Sequence, residues 1–380
     1  MMNCFPTVYE DELLYSCISR YRRMTGIVNK KALMKDLYNE KVSLNSVYFP
    51  VHCEQLINNL PINSKLTVDK LIKEHTLFRV FSSTLTEEKT LLIYNGMRKG
   101  KRFSPYVKFG LASSKIEMPN NLLYCPKCLE EDINKYGESY WRVLHQVVGV
   151  FYCKKHQIPL LKSNICSNDS RIDFVCLEDI DFSKSKPVID GEFINVNLKY
   201  IELAEYLLKN HVPKKGKEFF RNIYIDLLRK KGFASKNGSL YIKELEQAFV
   251  DFYSNKYLKI MQNEVDLEDD NNWFRRFIRS SSRQKHILRH LLMIQFLGID
   301  IEDLFETEEA TGKKEYSYIP NPRLDLEIQR ERWLQVLRDN PNLKKCEYKK
   351  IGKGLYSWLY KNDNEWFEKI TPKKNKVDMQ

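Results

Sequence analysis

Two short turns carry the clearest chemistry in this chain. Cys125-Pro-Lys-Cys128 is followed, 24 residues later, by Cys153-Lys-Lys-His156. Two intervening residues let a tight turn bring both ligand atoms of a pair to one edge of a tetrahedral ion. Thiolates and imidazole suit a borderline-soft ion such as zinc over calcium or magnesium. Four protein ligands leave no position for a reacting water, so the expected cofactor is a structural Zn²⁺ held by Cys125, Cys128, Cys153 and His156. The plainer readings are small buried core residues, or a redox pair at Cys125 and Cys128 that would need neither Cys153 nor His156.

The remaining ligand-type residues lack such a pattern. Nine cysteines, an odd number, argue against a disulfide framework. Cys166 and Cys176 have no matching CxxC or histidine nearby. His52, His75, His145 and His211 have no ligand spacing, and His286 and His290, four apart, have no third partner. The sequence contains no H-E-x-x-H, no H-x-E beside P-C-x-x-C, no Walker loop and no G-x-S-x-G. An enzyme is therefore not expected. A metal-dependent nuclease built on scattered carboxylates stays open as an alternative, as does a zinc-containing adaptor that meets only proteins.

Charge suggests the partner. The 380 residues carry 62 Lys and Arg against 50 Asp and Glu, a net +12. The excess is clustered: seven cations and two acids over 211–233, six cations and no acid over 273–291, and fourteen cations and nine acids over 320–380. Clustering of this kind is the electrostatic footprint of a phosphate-backbone binder, so double-stranded DNA is the expected partner. Arg275, Arg276, Arg279, Arg283 and Lys285 belong to the second cluster. No stretch approaches the ~18 uncharged residues of a membrane span, and Glu10, Asp11 and Glu12 interrupt any leader-like start. No membrane association and a cytoplasmic location are expected.

These side chains need a scaffold, and 43% apolar residues are enough to build one. The periodicity predicts a mainly α protein. Leu14, Cys17, Ile18 and Tyr21 recur at helical spacing, and Thr67 is placed to cap another helix. Residues 103–108 and 122–124 read as extended. The expected organisation is an N-terminal helical domain over 1–118, a zinc-finger module over 119–163, a mixed segment with a first helix-turn-helix candidate over 164–262, a basic helical segment over 271–305 and a second helix-turn-helix domain over 320–372. In the last, helices over 327–339, 343–351 and 355–366 are separated by Asn340-Pro-Asn and Gly352-Lys-Gly354. Ile328, Leu334, Leu337, Leu355, Trp358, Leu359 and Trp366 are expected inward, and Trp333 partly so. Lys353, Ser357, Tyr360, Lys361 and Asn364 form the opposite, donor-rich face, suited to base edges and phosphates. In the first candidate, Ile242, Leu245, Phe249 and Phe252 are expected inward and Lys236, Asn237 and Lys243 outward.

Several blocks together resemble the TnsD/TniQ family of bacterial transposon target-site selectors. They are Phe5-Pro-Thr-Val-Tyr-Glu-Asp-Glu-Leu-Leu-Tyr-Ser, Leu71-Ile-Lys-Glu-His-Thr-Leu-Phe78, Tyr124-Cys-Pro-Lys-Cys128, Tyr136-Gly-Glu-Ser-Tyr-Trp-Arg142 and Tyr152-Cys-Lys-Lys-His156. The segment 273–298, with Arg289-His-Leu-Leu292 and Phe296-Leu-Gly, adds to them. Leu355-Tyr-Ser-Trp-Leu-Tyr-Lys-Asn-Asp-Asn-Glu-Trp366 is similar to the TnsD branch in particular. The resemblance implies a non-catalytic protein that recognises a chromosomal attachment site through helix-turn-helix domains. It implies that the TniQ-like N-terminal part recruits an AAA+ ATPase regulator, which brings in the transposase. Many TniQ proteins carry a further CxxC; here Cys166-Ser-Asn-Asp169 breaks it, so a second zinc is not expected. TnsD members usually continue with further DNA-binding helices.

Overall fold

The structure is a computed structural model describing residues 2–40, 46–100, 103–167, 173–235, 238–279, 284–308, 326–341, 343 and 345–372. It is mainly helical and divides into two compact units. The first comprises Met1–Ile225 and Ile242–Gly312, the second Asp226–Tyr241 and Lys313–Gln380. Among the described residues no helix is long and apolar enough to cross a membrane.

The first unit begins with α1 (Leu14–Thr25), α2 (Lys30–Tyr38), α3 (Cys53–Asn59), α4 (Val68–Glu74), α5 (Phe78–Ser82), α6 (Glu87–Lys99) and α7 (Pro105–Lys108). Thr67 caps α4 as expected, its hydroxyl accepting from the Lys70 N–H. The 103–108 stretch, expected extended, instead makes the short α7, because Pro105 at its first turn suits a helix start. Next come β1 (Asn121–Tyr124), α8 (Pro126–Tyr136), β2 (Leu161–Cys166) and β3 (Lys186–Pro187). The three strands form one antiparallel sheet in the order β1-β2-β3. The helices α9 (Ile194–Lys209), α10 (Gly216–Lys230), α11 (Ile242–Tyr253), α12 (Asn255–Ile260), α13 (Trp273–Arg279), α14 (Ile287–Leu297) and α15 (Ile301–Glu306) follow, α10 running into the second unit.

Every residue of α1 from Leu14 to Tyr21 is buried, so its polar groups need partners. Arg20 donates to Glu12 at 2.9 Å and to Glu138 at 2.5 Å, and lies over the Tyr9 ring at 4.3 Å. The backbone at 11–13 pairs with 141–143: Leu13 N–H donates to Trp141 O and Val143 N–H to Asp11 O, both at 2.8 Å. Residues 1–118 and 119–163, expected as separate domains, both lie within the first unit, which extends further.

The second unit contains α16 (Leu326–Asp339), α17 (Lys345–Asn362) and α18 (Asn364–Ile370) around a core of Trp333, Tyr348, Leu359 and Phe367. Leu355, Trp358, Leu337 and Trp366 pack against that core, but Ile328 and Leu334, expected inward, are exposed. The α17 helix is broken at Lys353, where φ is 37° and ψ −112°. The Gly352-Lys-Gly354 turn is therefore present, with the unusual backbone on the lysine and neither glycine at positive φ. A Cβ on Gly352 would come within 2.5 Å of the Trp333 ring, so that glycine is required for close approach. The expected single helix over 355–366 ends at Asp363, which leaves helical geometry (φ −149°, ψ 50°) and takes two bonds from Arg330.

Candidate metal centre

The Cys-Pro-Lys-Cys turn is the start of α8. Cys125 is its N-cap and Pro126 follows in the first turn, where a missing N–H costs nothing. Cys128 then faces the same way as Cys125, and the helix N-terminus favours thiolate over thiol. The second pair sits at the tip of a hairpin. Cys153 N–H donates to Ile158 O at 2.9 Å, Leu160 N–H to Phe151 O at 2.8 Å, and Gln157, at φ 54°, turns the chain.

Helix start and hairpin tip bring all four ligand atoms within 4.8 Å of one another. His156 Nδ1 lies 3.4 Å from Cys125 Sγ, 3.4 Å from Cys128 Sγ and 3.5 Å from Cys153 Sγ, and Cys128 and Cys153 sulfurs are 3.6 Å apart. Zinc bond lengths of about 2.3 Å to sulfur and about 2.0 Å to nitrogen give tetrahedral edges of roughly 3.5 Å (S to N) and roughly 3.8 Å (S to S). The observed edges fit that solid. All three cysteines are buried and His156 partly so. Packed this closely, the thiols drive their ionisation apart. Hydrogen bonds from Cys125 and Cys128 hold the Cys153 thiol far down, and bonding with Cys125 and Cys153 pushes Cys128 far up. A cation at the centre would let all three ionise.

Two neighbours of the cluster carry no sequence signature. Glu131, one turn along α8 from Cys128, faces His156 Nε2 at 3.0 Å and also pairs with Lys155. Nδ1 is turned to the sulfurs, which leaves Nε2 to meet the Glu131 carboxylate, the arrangement that orients an imidazole ligand. His145 is buried, its ring facing the Cys153 sulfur, and burial holds its pKa down. Beneath them Arg142 makes two bonds to Asp132, at 2.7 and 2.8 Å, and lies over Tyr140. Cys166 is exposed and Cys176 buried, and neither joins a ligand cluster among the described residues.

The residues expected to touch DNA are placed unevenly. Lys353, Ser357, Tyr360, Lys361 and Asn364 are all exposed. Asn364 starts α18 rather than continuing α17, and its amide donates to Tyr360 O at 3.0 Å. Lys243, on α11, is exposed, as are Arg276 and Arg279 on α13; Lys285 is half-buried and donates to Arg276 O at 2.9 Å. Arg275 is different: it is buried, its guanidinium on Glu246 at 2.7 Å and on Asp270. That pairing takes it out of the solvent-facing set. On α11, Phe252 is exposed instead of inward, because Glu246 turns into the core to meet Arg275. Lys236, Asn237 and Arg283 lie outside the described residues.

Two family models match the chain. One, described as TniQ, matches residues 3–160; the other, described as Tn7-like transposition protein D, matches 201–325 and 323–380. The chain belongs to the TnsD/TniQ family. It is 24% identical over 377 residues to the transposon Tn7 transposition protein TnsD of Escherichia coli, a match covering 96% of this chain and 73% of that protein. The TniQ match takes in α1, Arg20, Glu138 and all four metal-ligand candidates, whereas the TnsD matches take in α13, α14 and α16–α18.

Proposed function

We propose that this TnsD/TniQ member is a non-catalytic adaptor that selects a DNA site for transposition. The observation that carries the reading is the two-sidedness of α17. Its inner side closes the Trp333 core. Its outer side presents Lys349, Lys350, Lys353, Ser357, Tyr360 and Lys361 to solvent, and none of the four lysines has an ion-pair partner among the described residues. Helices over 345–352 and 354–362, joined by the Lys353 break, serve as a helix-turn-helix whose second helix enters the major groove. Lysines there neutralise phosphates and set the register, while Ser357 and Tyr360 are within reach of base edges.

The Cys₃His cluster fits zinc by donor type and by edge length. The ion, when bound, crosslinks the start of α8 to the 151–160 hairpin. Arg142, Asp132 and the 11–13 backbone then hold that crosslink against α1. The surface of the TniQ-matched part is the docking side for an AAA+ ATPase regulator, through which the transposase is reached. The test is selection from a random duplex pool followed by sequencing, with binding measured across salt. One enriched site and a steep loss of affinity with salt are expected. No enrichment, or cleavage of plasmid by the protein with Mg²⁺, refutes the reading.

A further inference from the structure

The first unit holds a half-buried arginine with no carboxylate partner among the described residues. Arg289, on α14, lies with its guanidinium 4.6 Å from the Trp273 ring centre, and its Nε donates to Asn263 Oδ1 at 2.8 Å. Arg20, Arg142 and Arg275 each meet at least one carboxylate. Arg289 meets none among the described residues, and the run from Trp273 to Leu291 contains no acid. Arg276 is one turn along α13 from Trp273, the ring that Arg289 covers. Burial, together with the like charge of Arg276, lowers the Arg289 guanidinium to about 10.

Holding a cation partly out of water next to another cation is unfavourable unless an anion completes the set. The ring and the Asn263 carbonyl fix the plane of Arg289 in advance, so little side-chain freedom is left to lose on binding. A planar guanidinium stacked on Trp273, with the exposed Arg276 one helical turn from that ring on α13, offers two cations to the non-bridging oxygens of a phosphodiester.

We propose that Arg289 and Arg276 form a backbone-phosphate clamp on the first unit, a DNA-binding element separate from α17, with Arg289 in the place the sequence suggests for Arg275. The clamp rests on the reading of the chain as a duplex binder. It grips the backbone and reads no base, so its contribution is the same on every sequence.

The full chain is titrated with its selected duplex and with an unrelated duplex between 50 and 200 mM salt, as wild type, Arg276→Gln, Arg289→Gln and Lys361→Gln. Removing one cation from a phosphate flattens the log–log salt slope by about 0.9, so the affinity loss over this range shrinks about 3.5-fold. Arg276→Gln and Arg289→Gln are expected to show that change on both duplexes. Arg276→Gln, whose side chain is exposed, is expected to leave the melting temperature unchanged, so its slope is read on a folded protein. Wild-type slopes in both arginine variants, with a flattened slope in Lys361→Gln, overturn the clamp alone. A wild-type chain that binds neither duplex overturns the clamp together with the reading beneath it.

Discussion

Replacing Lys353 by glycine is expected to make the protein more stable and worse at binding DNA. Lys353 has φ 37° and ψ −112°, a region that its Cβ disfavours and glycine enters freely. A residue held there costs on the order of 1–3 kcal/mol. Glycine returns about 0.5–1 kcal/mol of that through the extra freedom of the unfolded chain. The net gain is roughly 0.5–2 kcal/mol, and 1 kcal/mol moves the melting point of a domain of 60–100 residues by about 4–8 °C. Truncation removes no ion pair, since the Lys353 side chain is exposed and without such a partner among the described residues. Its amine is one of the cations facing outward from α17, so the salt slope of duplex binding is expected to flatten by about 0.9. Differential scanning calorimetry reads the first effect and salt-dependent anisotropy the second. A Lys353→Gly protein that melts lower refutes the strain argument. One that melts higher but keeps the wild-type slope refutes the placement of Lys353 on DNA.

Other outcomes follow from the same geometry. Gly352→Ala forces a methyl against Trp333 and is expected to cost about 1–3 kcal/mol by overpacking, whereas Gly354→Ala, with open space around it, is expected to be tolerated; chemical denaturation separates them. Zinc is expected at one ion per chain, with Cys128→Ser losing both metal and thermal stability, measured by elemental analysis and melting. Burial pushes the Asp11 carboxyl up to about 7, with the Leu144 N–H and Arg142 opposing. Its folded value lies above its unfolded one, so its contribution to stability is full below about pH 4 and is lost as pH rises through about 7. Asp11→Asn is expected to remove that slope in urea titrations. Burial drives His286 and His290 down to about 3, so each withdraws stability as pH falls below about 6.5, by up to ~1.4 kcal/mol per pH unit. His286→Asn keeps the cap acceptor that the Leu288 N–H uses and is expected to flatten the acid limb.

What can be read from sequence is what is local. Two CxxC-type turns state their own geometry, and the structure closes them on each other with ligand-like edges. The Thr67 cap and the one-sided packing of α17 around Leu359 are readable for the same reason. Partners distant along the chain are not. Arg275 looks like its neighbours Arg276 and Arg279 until Glu246, 29 residues earlier, turns inward to meet it. Asn364 changes helix because Arg330, 33 residues from Asp363, captures that acid. Glu131 and His145 gain their roles from a hairpin that closes on α8, and no spacing rule announces that.

The network at Arg20 has a consequence for synthesis. Its Glu138 partner lies 118 residues later in the chain. At about 5–20 residues per second, Arg20 is made roughly 6–24 seconds before that acid. In that interval Glu12 is the acid already available to Arg20, and the strand-like pairing of 11–13 has no second side. The α1 helix therefore waits for the segment that carries Glu138 and the Cys₃His cluster, and a pause in translation before residue 138 would leave it open to proteases and chaperones.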